Sequence, residues 1–110
     1  MQLPNAEDAI IDRKKVTHYL LSTEHPDGRA KSRFFGLLGF SCDEPDRLIR
    51  ALLRMAAAGT VAEEVVTPFG RKYIVNGMLE APNGWAVNIR SAWIVRKSET
   101  APRFVTAYPR

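Results

Sequence analysis

The sequence predicts an α+β fold of about three N-terminal helices followed by a roughly four-stranded antiparallel sheet. Apolar residues recur with helical spacing as far as Gly59 and with a period of two after it. The links in the second half are of hairpin length, which joins neighbouring strands antiparallel rather than through crossover helices.

The first helix starts at Asp12, a good N-cap, with Val16, Tyr19 and Leu20 on one face. Thr23-Glu24-His25-Pro26-Asp27-Gly28 ends it, since Pro26 disfavours helix at His25 and Asp27-Gly28 is turn chemistry. The second runs from about Arg29 to Leu38, with Ala30, Phe34, Leu37 and Leu38 inward and Gly39 as a left-handed cap. Glu44-Pro45 opens the third, with acids at the positive end of its dipole. Leu48, Ile49, Leu52, Leu53 and Met55 form its apolar side, and Gly59 ends it. Val61 to Thr67 reads as a strand, Pro68-Phe69-Gly70 as its turn, and Lys72 to Glu80 as the next strand. Pro82-Asn83-Gly84 is the strongest hairpin signal. Trp85 to Val95 then alternates Trp85, Val87, Ile89, Trp93 and Val95 against Ala86, Asn88 and Arg90, and Arg103 to Tyr108 is the last strand.

The chain has 110 residues, the size of one domain (1–110), with room for a core without staples. Its 45% hydrophobic and 25% charged content excludes collagen, coiled coil and disorder. No apolar run approaches the ~20 residues of a membrane span, and residues 1–20 lack a signal-peptide core, so the expected compartment is the cytoplasm and no membrane partner is expected. Sixteen Lys and Arg against twelve Asp and Glu give a net charge of +4, the balance of a polyanion-binding candidate. The sequence does not fix the oligomeric state.

Several chemistries find no support. His18 and His25 are split by a helix break and have no Cys or His cluster beside them, so neither a metal site nor a cofactor is expected. Cys42 reads as a buried structural thiol. The glycines are isolated caps and turns rather than a phosphate loop, and no G-x-S-x-G elbow exists. His18, beside Val16 and Tyr19, reads as partly buried and structural. His25, in a link and followed by Arg29, Lys31 and Arg33, has two readings: a loop cap, or a general acid–base. Arg47, Arg50 and Arg54 share one helix face, as a phosphate-binding stripe or the solvated side of an amphipathic helix. Arg71, Lys72 and Arg90 add basic character to the strands, and Arg90 shares a face with Asn88, opposite Trp85 and Trp93. Those tryptophans read as core rather than as a base-stacking platform. Thr106 and Tyr108 share one face of the last strand, where hydroxyls either line a site or fit β-propensity.

Taken together, Leu3-Pro4-Asn5-Ala6-Glu7, Asp12-Arg13-Lys14-Lys15, Tyr19-Leu20-Leu21, Glu24-His25-Pro26-Asp27-Gly28 with Lys31, Phe34-Phe35, Leu38-Gly39-Phe40, Gly70-Arg71-Lys72-Tyr73, Pro82-Asn83-Gly84, Trp93-Ile94-Val95 and the run from Pro102 to Pro109 resemble a bacterial family of small domains of unknown function. Such domains occur alone and at the ends of toxin-like or phage-related proteins. Helices before a sheet that ends in a Thr-Ala-Tyr strand are also similar to the barnase–EndoU–colicin–RelE group of toxin ribonucleases. That resemblance implies metal-independent RNA cleavage, in which the ribose 2′-OH attacks its own phosphate. It implies His25 as acid or base, with Lys31, Arg71 and Arg90 on the phosphate and Thr106 bonding a phosphate oxygen. Tyr108 stacks or positions a base, and Lys72 and Asn88 are further substrate contacts. The chain departs from the EndoU pattern in offering one plausible catalytic histidine rather than two. The implied partners are RNA and a cognate immunity or antitoxin protein. The competing reading is a non-catalytic nucleic-acid- or protein-binding module.

Overall fold

The structure, a computed structural model, describes residues 1–22 and 29–110. His25 and its flanking turn residues lie outside that range. Asp12 caps the first helix as expected, its carboxylate accepting from the Lys14 amide at 3.0 Å. The helix (α1, Arg13–Lys15) then widens into a π-helical turn over Val16–Leu20, closed by the Leu21 amide on the Val16 carbonyl at 2.9 Å. A wider turn carries one more residue per circuit, so faces shift against ordinary helical spacing. Val16 and Leu20 enter the core while His18 is exposed, which corrects its expected partial burial.

The second helix (α2, Arg29–Leu37) shows a different inner face from the expected one. Phe35 and Leu38 are buried, whereas Ala30 is exposed and Leu37 is 77% exposed. The Phe35 ring decides this, packing edge-on against both Phe34 and Phe40. Gly39 takes the left-handed conformation its capping place requires. Cys42 is exposed rather than buried, its thiol donating to the Leu21 carbonyl at 3.0 Å. The third helix (α3, Pro45–Ala58) buries Leu48, Ala51, Leu52, Met55 and Ala56, leaving Arg47, Arg50 and Arg54 in solvent.

Four strands follow as an antiparallel meander in the order β1 (Thr60–Thr67), β2 (Gly70–Glu80), β3 (Ala86–Arg96), β4 (Arg103–Pro109). The β2–β3 ladder is symmetric about Asn83, running from Glu80 opposite Ala86 to Gly70 opposite Arg96. One face carries Tyr73, Val75, Leu79, Ile89, Trp93 and Phe104 into the core, against Leu48, Leu52 and Met55 of α3. Trp85 does not join that stripe. It belongs to the hairpin turn before β3 and is 67% exposed, so the two tryptophans are one core residue and one surface residue. A bulge interrupts the β3–β4 ladder: Ala92 opposes Thr106 and Trp93 opposes Phe104, leaving Val105 as the extra residue. Alternation alone puts Phe104 and Thr106 on one face. The bulge turns Phe104 inward and Thr106 to the other side.

Gly70 closes the β1–β2 turn at φ +143°, and a β-carbon there would lie 2.1 Å from the Val95 carbonyl oxygen. Gly70→Ala is expected to cost about 2–3 kcal/mol, read as a lowered urea midpoint at constant slope. No helix among the described residues is long and apolar enough to cross a membrane.

Candidate functional site

The sheet face turned away from α3 carries its polar groups in cross-strand rows. In one row Thr60, Asn76, Arg90 and Tyr108 stand opposite one another across all four strands. Glu63, Ile74, Ala92 and Thr106 form the next, and Val65, Lys72, Ile94 and Arg103 the one beyond. Arg90 and Arg103, both on this face, differ in availability. Arg103 donates two bonds to Glu99, at 2.9 and 3.0 Å, and this hydrogen bonding holds the Glu99 carboxyl below its usual range. Arg90 is half-buried and uses only Nε, which donates to Asn76 Oδ1 at 3.0 Å. No carboxylate among the described residues pairs with it. A half-buried guanidinium with its terminal nitrogens unspent is a group prepared for an anion.

Thr106 follows two positions from Tyr108 on the same face. Its hydroxyl oxygen is buried and has no hydrogen-bond partner among the described residues. Such a group costs free energy unless something later engages it. Thr106 and the bulged Val105 form one wall of an open cleft of about 560 Å³ at the outer edge of β4, beyond the Ile10 bridge to Arg103. The opposite wall is Asp12, Lys14, Lys15, His18 and Tyr19 from α1 and the π turn. Asp12 is spent on its cap, so lysines and an exposed imidazole dominate that wall. Lys31 joins through Tyr19: its ammonium donates to the Tyr19 hydroxyl and lies 4.7 Å from the ring centroid.

The residues singled out in the sequence are therefore partly gathered. Arg90, Tyr108, Thr106 and the exposed Asn88 share one face, and Lys31 bonds to Tyr19 in the wall of the adjoining cleft. Lys72 is on that face but four positions along β2 from Asn76, about 13 Å away. Arg71 stands on the other face near the end of the sheet, held by Glu64 at 2.8 Å. Glu64 also accepts from the Tyr73 hydroxyl at 3.4 Å. Burial first, and the Glu64 charge second, push the Tyr73 pKa up. His18, Lys14 and Lys15 were not expected at the site, and Asn76 was not expected as the Arg90 partner. The sequence does hold a signal for Asn76, because a hairpin centred on Asn83 sets it opposite Arg90. It holds none for the π turn that exposes His18.

One family's sequence pattern matches residues 2–110, the length of the chain but for its first residue. The chain belongs to that family, DUF6883, described as a domain of unknown function. No curated protein matches the chain. Among solved structures, a chain of a contact-dependent growth inhibition toxin–immunity protein complex from Klebsiella pneumoniae 342 is similar, at 17% identity and a TM-score of 0.73. The alignment covers 96% of this chain and 96% of that one. At this identity the likeness shows a common fold, so helices before an antiparallel sheet is an arrangement this family shares with that chain.

Proposed function

We propose that this family member is a toxin-type, metal-independent endoribonuclease, held in check by a cognate immunity or antitoxin protein. The observation that carries the reading is the convergence of Arg90, Tyr108 and the unpaired Thr106 hydroxyl beside a cleft lined by lysines and a histidine. The fold shared with a chain of a toxin–immunity complex supports the biological setting. In the reaction, the ribose 2′-OH gives its proton to a base and its oxygen bonds to the adjacent phosphorus. The bond from phosphorus to the 5′ oxygen breaks, and that oxygen takes a proton from an acid. The products are a 2′,3′-cyclic phosphate and a 5′-hydroxyl. Arg90 holds the non-bridging phosphate oxygens as their charge grows, and Thr106 donates to one of them. Lys14, Lys15 and Lys31 raise the local concentration of the polyanion. Tyr108, directly across from Arg90, offers a ring for a base. His18 and His25 are the two proton carriers. His25 enters by its place in the sequence alone, between Tyr19 and Lys31, which are hydrogen-bonded to one another.

The test is incubation of the purified protein with an RNA oligonucleotide in excess EDTA. Cleavage to a cyclic phosphate is expected, and Arg90→Ala should slow it about 10²–10³-fold while leaving the unfolding midpoint nearly unchanged. Cleavage should also weaken steeply with salt, since neutralised phosphates release counterions. RNA that is retarded in a gel but stays intact would make the protein a binding module instead. Cleavage indifferent to Arg90 would remove the site from this face.

A further inference from the structure

The far side of α3 presents a second basic surface. β1 begins at Thr60 opposite Asn76, so β2 runs on from Gly77 to Glu80 with no strand among the described residues along that edge. α3 passes beside it closely enough that a β-carbon at Gly77 would lie 2.8 Å from Met55 Cγ. Between helix and edge is an open groove of about 500 Å³, lined by small and apolar groups, Ala57, Ala58 and Met78 among them, with Arg54 at its side. It shares Arg54, Ala51 and Glu80 with a cleft of about 210 Å³ that also holds Arg47 and Arg50. Arg47 has only a long contact to Glu44, 3.7 Å between exposed groups. Arg50 and Arg54 have no ion pair among the described residues. Among the described residues, Glu80 is the single carboxylate lining either space.

We infer that this groove binds an acidic segment of a partner protein in extended form, lying along β2 in line with β1. Three features select that occupant. An unpaired strand edge supplies main-chain donors and acceptors to an incoming strand. Carboxylates on one side of an extended chain recur every ~6.8 Å, close to the ~6 Å rise between Arg50 and Arg54 four residues apart on the helix. Alanine and methionine walls accept the alternate small side chains. A single-stranded nucleic acid fits less well, because among the described residues Phe40 is the only aromatic lining these spaces and it is buried. The inference does not depend on RNA cleavage: Arg50 and Arg54 stand on α3, across the sheet from Arg90, although Met78, opposite Asn88, shares the Arg90 face.

The probe is a fluorescein-labelled octapeptide of alternating Glu and Thr, followed by anisotropy and by backbone amide shifts of the intact protein. Binding is expected to move the amides of Ala57, Met78 and Glu80 and to protect Met78–Glu80 from hydrogen exchange. The double variant Arg50→Glu/Arg54→Glu should weaken it about tenfold or more, whereas Arg96→Glu/Lys97→Glu, the same charge change at the other end of β3, should leave it intact. Equal loss in both variants would mean non-specific attraction and would overturn the proposal. So would shifts confined to Arg90, Thr106 and Tyr108, no binding at millimolar peptide, or displacement of the peptide from the Ala57, Met78 and Glu80 amides by a short RNA. The nuclease reading stands or falls separately, on cleavage in EDTA.

Discussion

Trp93→Ala is expected to destabilise the protein by about 3–5 kcal/mol, lowering its melting temperature by roughly 10–25 °C. The indole is fully buried at the centre of β3 and meets the Phe104 ring edge-on at 5.3 Å. It is also part of a polar chain inside the core. Trp93 Nε1 donates to Ser91 Oγ at 2.9 Å, and the Ser91 hydroxyl donates to the Val75 carbonyl at 3.1 Å. Truncation therefore removes the ring, opens a void that β2 and β4 cannot close, and strips an acceptor of its donor. Trp93→Phe separates these terms: it keeps most of the volume and loses the hydrogen bond, so about 1–2 kcal/mol is expected. Urea unfolding of the two variants measures both. A loss below 1 kcal/mol for alanine would mean that the core does not turn on this residue.

The second large effect concerns proton transfer. His18→Ala and His25→Ala are each expected to slow RNA cleavage about 10²–10⁴-fold, the usual worth of a general acid or base. His18→Ala should leave stability nearly unchanged, because the side chain is exposed in the cleft. Glutamine keeps hydrogen bonding but cannot carry a proton, so His18→Gln should be as inactive as alanine. Full activity in His18→Ala would reduce His18 to a rim residue and return the chemistry to His25.

The sequence made much of this legible through punctuation. Pro45 and Gly59 bracket α3, and Pro82-Asn83-Gly84 fixes the register in which Asn76 meets Arg90. Three features were not readable, each for its own reason. Phe34 and Phe35 are adjacent, so over a short helix the apolar period fits two faces, and only contact with Phe40 selects Phe35. Trp85 continues the alternation of β3 by parity, yet the hairpin claims it, with its amide donating to Asn83 Oδ1 at 3.0 Å. The π turn beneath His18 is a tertiary adjustment that lets both Val16 and Leu20 reach the core.

The extra residue at Val105 also bears on how this strand tolerates change in length. Substitutions at Thr106 or Tyr108 alter the open face while Phe104 stays against Trp93, so chemistry and stability there can vary independently. Loss of one residue between Phe104 and Thr106 removes that independence. Without the bulge, strict alternation either pulls Phe104 out of the core or swings Thr106 and Tyr108 toward the helices. The open-face positions of β4 can thus be exchanged without disturbing Phe104, whereas a single deletion or insertion in the strand disables packing and site at one stroke.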